Sequence, residues 1–101
     1  MQIVNELVRT AEFAEWLRKL HDIKGKARII GRLVAAELGN FGDCKPVGRG
    51  ISEMRIHVGP GYRVYFTRTG RVVYVLLLGG GKSTQQRDIK RAIRLAEALE
   101  K

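Results

Sequence analysis

"SEMRIHVGPGYRVYFTR", residues 52–68, alternates apolar and polar side chains on either side of Gly59-Pro60-Gly61. Period-two alternation around a short glycine-proline loop is the pattern of a β-hairpin. With a three-residue loop setting the register, Val58 faces Tyr62, Ile56 faces Val64 and Met54 faces Phe66, which makes one face apolar. The other face pairs His57 with Arg63, Arg55 with Tyr65 and Glu53 with Thr67, all polar. The expectation is an antiparallel sheet that packs helices on one face and solvates the other.

The same pattern extends in both directions. Downstream, Thr69-Gly70 makes a turn, "RVVYVLLL" reads as a nearly continuous apolar strand for the sheet interior, and Gly79–Gly81 end it. Ser83 or Thr84 then caps a helix running to about Glu100. Its residues Ile89, Ala92, Ile93, Ala96 and Leu99 face the body, and Arg87, Lys90, Arg91 and Arg94 form a basic outer side. Upstream, "GNFGDCKPVGRG" is glycine-rich and reads as a loop and irregular strand leading into the sheet.

Before it, Thr10 is positioned to cap a helix over about Ala11–Leu20, with Phe13, Trp16, Leu17 and Leu20 at helical spacing. "DIKGK" allows a turn into a second helix over about Lys26–Leu38, with Ala27, Ile30, Val34 and Leu38 on one side and Gly39 as its stop. The two helices are expected as an antiparallel pair. Residues 2–8 complete the chain as a short strand. The order β-α-α-β-β-β-α describes an α+β domain with a small, mainly antiparallel sheet, two N-terminal helices and one C-terminal helix.

Composition narrows the function classes. The 101 residues suffice for one domain, 1–101, with one buried core. Hydrophobic residues at 45% and charged residues at 29% are globular values. Apolar runs fall far short of the ~20 residues that span a bilayer, and the N-terminus lacks the pattern of a secretory signal, so a cytoplasmic protein without a membrane partner is expected. One cysteine, Cys44, rules out an internal disulfide and reads as an incidental thiol; with His21 and His57 it makes no zinc spacing. No metal and no cofactor are implied. Lys and Arg number 19 against 10 Asp and Glu, a net charge of +9, whose field favours polyanions: a nucleic acid or an acidic protein.

"GGGKST" at 79–84 has the ending of a phosphate-binding P-loop, a strand, glycines and Lys-Ser leading into a helix. The full motif places another glycine where this chain has Leu76, whose side chain would stop the backbone wrapping around phosphates. A mononucleotide site is excluded, and Lys82 is left to meet some other anion. A lysine at a helix start is disfavoured by roughly 0.3–1 kcal/mol, which points to a functional reason for it.

Glu53, Arg55, His57, Arg63 and Tyr65 share the polar hairpin face. This set holds a candidate base, a candidate acid and two fixed cations, the inventory for RNA transesterification without a metal. There a 2′-hydroxyl is deprotonated, a pentavalent phosphorane is stabilised, and the 5′-oxygen leaves with a proton. Arg63 suits a phosphate clamp, because a guanidinium offers a bidentate fork, and Tyr65 suits stacking or hydrogen bonding. A plain cross-strand salt-bridge network on a solvated sheet stands as the alternative.

"FAEWLRKLHD", "GDCKPVG", "ISEMRI", "GPGYRVYF" and "LLLGGGKSTQQRDIKRAIRLAE", in this order and spacing, resemble the RelE/ParE toxin superfamily, in its HigB-like subgroup of addiction module killer proteins. The resemblance covers nearly the whole chain. It implies a curved sheet backed by helices and the toxin of a type II toxin-antitoxin module. It also implies a cognate antitoxin, usually a small helix-turn-helix protein through which the complex binds operator DNA. RelE-like members cleave mRNA on the ribosome without a metal, whereas ParE-like members poison DNA gyrase.

By motif, Arg63 matches the family's phosphate-contacting arginine, and Lys45, Arg55 and Lys82 match positive positions around the substrate; Arg87 joins them as a candidate RNA contact. The chain lacks the C-terminal histidine-tyrosine pair of some ribosome-dependent members. This leaves Glu53 or His57 as base and Lys82 or Tyr65 as acid or charge stabiliser. The expected activity is a ribosome-dependent mRNA endonuclease, with gyrase inhibition or non-catalytic RNA binding as alternatives.

Overall fold

The computed structural model describes residues 2–99. Its elements are β1 (Glu6–Arg9), α1 (Ala11–Lys19), α2 (Ile23–Glu37), β2 (Cys44–Gly48), β3 (Ile51–Ile56), β4 (Tyr62–Arg68), β5 (Val73–Gly81), a 3-10 turn (Lys82–Thr84) and α3 (Gln85–Leu99). The strands form one sheet in the order β1-β5-β4-β3-β2, in which β1 runs parallel to β5 and every other pair is antiparallel. The α+β class and the mainly antiparallel sheet are as expected. One strand more is present, because "CKPVG" pairs with β3, with Val47 bulged out of the ladder. The expected helix end at Glu100 lies outside the described residues. No helix among those described is long and apolar enough to cross a membrane.

The hairpin register differs from expectation by two residues. Met54 faces Val64, Arg55 faces Arg63 and Glu53 faces Tyr65. Pro60 sits between Gly59 and Gly61, both at positive φ (55° and 86°), in a turn closed by the Gly61 N–H donating to the Val58 carbonyl at 2.9 Å. That turn needs Val58 as its corner, so Val58 and His57 drop out of the ladder. A slip of two preserves which face each side chain occupies, and the alternation therefore survives although the partners change.

The sheet is covered on both faces, not half-solvated. Phe13 and Leu17 of α1 and Ile29, Leu33 and Ala36 of α2 pack with Met54, Ile56, Tyr62, Val64, Phe66 and Leu76. On the reverse, Ala92 of α3 packs with Ile51, Tyr65, Val75, Leu77 and Leu78. The apolar run of β5 serves both layers because the β4–β5 register shifts at Tyr65/Phe66, leaving Leu77 as an extra residue between Leu76 and Leu78. This bulge lets the consecutive Leu77 and Leu78 both reach the α3 side.

The outer helices differ in how well they followed their spacing. Thr10 caps α1 as expected: its hydroxyl accepts from the Phe13 N–H at 3.0 Å and donates to the Leu77 carbonyl at 2.7 Å. In α2 the buried stripe is Gly25, Ile29, Leu33 and Ala36, while Ile30 and Val34 of the expected stripe are 40% and 48% exposed. The reason is Gly25, which lies within α2 and not in a turn. A Cβ there would stand 2.6 Å from the Tyr62 ring, so the missing side chain lets the helix press this stripe onto β4. Asp22 caps α2 by accepting from the Gly25 N–H at 3.0 Å, and it also accepts from the Tyr62 hydroxyl at 2.7 Å. Both helices rest on the sheet.

The three glycines are the last residues of β5 and stay in its ladder: Gly79, Gly80 and Gly81 pair with Val64, Arg63 and Tyr62. A Cβ on Gly79 would overlap the Trp16 ring of α1, and one on Gly80 would overlap the Asp88 carboxylate of α3. Neither Ser83 nor Thr84 provides the expected cap. The Thr84 hydroxyl instead donates to Asp88 Oδ2 at 2.5 Å, tying the 3-10 turn to the first turn of α3.

Candidate functional site

On the sheet face that carries α3, two neighbouring rows run across the strands. Lys45, Glu53, Tyr65 and Leu78 form one; Arg55, Arg63 and Gly80 form the next. Like charges directly opposite on an antiparallel pair repel, and Arg55 and Arg63 are so placed. Gly80 contributes no side chain to this row, and Lys82 follows two residues later. Arg55, His57, Arg63 and Lys82 line one concave pocket of about 360 Å³, together with Ile56, Tyr62 and the hairpin turn.

Two acidic groups hold this cationic cluster in place. Asp43, immediately before β2, accepts from Arg55 Nη2 at 3.1 Å through Oδ1 and meets His57 Nε2 at 2.6 Å through Oδ2. A carboxylate can only accept, so in the neutral imidazole Nε2 carries the proton and Nδ1 keeps the free lone pair. The His57 side chain is 73% exposed, available to a ligand in the pocket.

Glu53 is the second acid, and it is fully buried. Its Oε2 accepts from Gln85 Nε2, at the start of α3, at 2.7 Å. Its Oε1 lies 3.3 Å from Arg63 Nε without the alignment of a hydrogen bond, and the Arg63 side chain is 13% exposed. Tyr65 is also fully buried, and its hydroxyl finds no partner among the described residues. Burial foremost, and then the Glu53 carboxylate, push the Tyr65 phenol well above its ordinary range, so it stays protonated.

The hydrogen bond from His57 foremost, with Arg55 adding to it, holds the Asp43 carboxyl below the usual carboxylate range. A carboxyl whose folded value is depressed stabilises the fold above its unfolded value of about 3.9 and loses that contribution as pH falls through the folded value. Asp43→Asn is therefore expected to lower Tm near neutrality, with the gap to wild type closing below about pH 4. A gap that stays constant down to pH 2 would show that Asp43 makes no charge-dependent contribution.

Of the residues singled out in the sequence, the fold gathers Arg55, His57, Arg63 and Lys82 around one pocket and places Glu53 behind Arg63. Tyr65 lies inside the α3 layer and does not face solvent. Lys45 is exposed on β2, opposite Glu53. Arg87 is exposed on the first turn of α3 and borders a second hollow that begins at Lys82. Sequence reasoning missed Asp43 and Gln85. Asp43 becomes visible once "CKPVG" is read as a strand, since Cys44 faces Met54 and its neighbour Asp43 then stands beside Arg55.

No family model matches the chain. A Haemophilus influenzae protein described only as uncharacterized is 47% identical over 94 residues, covering 93% of this chain and 95% of that protein. Among solved structures, a mutant of the E. coli toxin RelE in the free state superposes with a TM-score of 0.71. The match covers 91% of this chain and 97% of that one at 15% identity.

Proposed function

Since the chain belongs to one family with the Haemophilus influenzae protein and has the fold of the toxin RelE, we propose that it is the toxin of a type II toxin-antitoxin module and cleaves mRNA on the ribosome without a metal. The observation that carries this reading is the convergence of Arg55, Arg63 and Lys82 with the exposed His57 on a single pocket. Three cations beside one imidazole match the charge that develops when a ribose 2′-oxygen attacks the neighbouring phosphate.

In this reaction His57 Nδ1 takes the 2′-hydroxyl proton, with Asp43 fixing the ring from the other side. The 2′-oxygen bonds to phosphorus. Arg63 and Arg55 hold the equatorial oxygens of the phosphorane through guanidinium N–H groups. The P–O5′ bond breaks, and the 5′-oxygen leaves with a proton supplied by Lys82. The products are a 2′,3′-cyclic phosphate and a 5′-hydroxyl end. Lys45, exposed on β2, and Arg87, in the hollow that begins at Lys82, contact the RNA strand beyond the pocket. An acidic antitoxin, a small helix-turn-helix protein that also carries the complex to operator DNA, neutralises the basic surface; the net charge of +9 supports such a partner.

The burial of Glu53 and Tyr65 favours one alternative, a binding module that uses the cations without chemistry. Incubation of a defined mRNA with the protein, with and without programmed ribosomes and with EDTA present, separates the readings. Cyclic-phosphate ends formed only with ribosomes support the proposal. Salt-sensitive binding without products would establish the binding module, and intact mRNA alongside inhibited supercoiling would establish a gyrase poison.

A further inference from the structure

Arg63 lines a pocket, yet its counter-charge, Glu53, is out of reach of solvent. Glu53 is fully buried, one oxygen held by Gln85 at 2.7 Å and the other 3.3 Å from Arg63 Nε. A group so enclosed cannot take a proton from a substrate in the pocket. Burying a carboxylate is expensive unless it is paired and hydrogen-bonded, so its retention at the centre of a sheet needs a reason. The like-charged row in front supplies one. Arg55 and Arg63 oppose each other across β3 and β4 and, left alone, would swing apart. Arg55 is held from the β2 side by Asp43; Arg63 has no comparable partner at its exposed end among the described residues.

We propose that Glu53 and Gln85 are positioning residues that fix the guanidinium of Arg63 from behind, leaving its terminal N–H groups free to grip a phosphate. Glu53 attracts the Nε edge, so the fork of the two terminal nitrogens points away from it, into the pocket. Gln85 decides which carboxylate oxygen does this. By donating to Oε2 it locks the Glu53 rotamer and leaves Oε1 for Arg63. Because Gln85 is the first residue of α3, the orientation of the clamp depends on where that helix begins. The catalytic consequence rests on Arg63 acting on phosphate, as proposed above; the positioning itself does not.

The test separates the two. In a ¹⁵N-labelled protein the Arg63 Nε–H resonance reports the orientation of the guanidinium directly, whatever the activity. It is expected to be resolved and slow to exchange with solvent in wild type, and to exchange about tenfold faster in Glu53→Gln, tenfold corresponding to the loss of one charge-assisted contact. Gln85→Leu, which leaves the Glu53–Arg63 pair in place, is expected to speed exchange by a smaller factor. In the cleavage assay both variants lower kcat with KM changed little, since a misaimed fork still attracts RNA but fails the phosphorane.

An Arg63 Nε–H that exchanges equally fast in all three folded proteins would overturn the proposal. Slow exchange lost in the variants of a protein that never cleaves RNA would uphold the positioning and reject the nuclease reading. If Glu53→Gln fails to fold, Gln85→Leu alone decides.

Discussion

Arg63→Ala is expected to reduce RNA cleavage by about 10²–10³-fold, the loss seen when one donor to a developing oxyanion is removed. The substitution has a second effect that must be separated from the first. It strands the fully buried Glu53 carboxylate, and breaking a buried pair by removing one member destabilises by about 3 kcal/mol or more. The single variant should therefore melt early as well as fail to cleave. Adding Glu53→Gln removes the unpaired charge, so the double variant is expected to recover most of the lost Tm while cleavage stays down. Recovery of cleavage together with Tm would show that Arg63 was needed only for the fold, and the phosphate clamp would then have to be Arg55 or Lys82.

The second large effect concerns the glycines. Gly79→Ala is expected to cost about 2–3 kcal/mol, at the upper end for overpacking, because the new methyl would overlap the Trp16 ring between β5 and α1. Gly80→Ala meets the Asp88 carboxylate instead and displaces the start of α3, where Gln85 reaches Glu53; it should lower cleavage more than its loss of Tm explains. Gly81→Ala is the control. Nothing lies within 4 Å of its would-be Cβ and its φ is −97°, so a change within about 0.5 kcal/mol is expected, as for other unconstrained surface positions. Urea denaturation of the three variants reads the order directly. Equal losses at all three positions would mean that the run is glycine for backbone freedom and not for close packing.

Much of the fold was legible because its signals are periodic. The alternation around Gly59-Pro60-Gly61 assigned the hairpin faces even though the loop proved longer, since a two-residue slip leaves every side chain on its face. Helix α1 followed from Thr10 and the spacing of Phe13 and Leu17.

Where two answers shared one period, the sequence could not choose. In α2 both Ile30/Val34 and Ile29/Leu33 recur at helical spacing, and the choice was made by Gly25 against Tyr62, a contact between residues far apart in the chain. The sheet face was misjudged for a similar reason. Glu53 and Tyr65 alternate as solvent-facing residues do, but α3 closes over them, and the Gln85 hydrogen bond together with the nearby Arg63 charge accounts for a carboxylate there. The cations of the site were readable by type. Their arrangement was not, because Asp43 reaches Arg55 and His57 from just before β2, in a segment that proline and glycine made readable only as a loop and irregular strand.

The bulge in β5 governs where the chain can change length. Every residue of that strand except Leu77 occupies a face dictated by alternation: Leu76 with α1 and α2, Leu78 with α3, Gly79 beneath Trp16, Gly80 beneath Asp88. Losing Leu77 would straighten the strand and leave all those assignments intact, at the expense of one buried side chain. Because residues 76–78 are all leucine, losing any one of the three gives this same straightened strand. Among descendants of this gene, loss of a single codon within the leucine run 76–78 should therefore be tolerated.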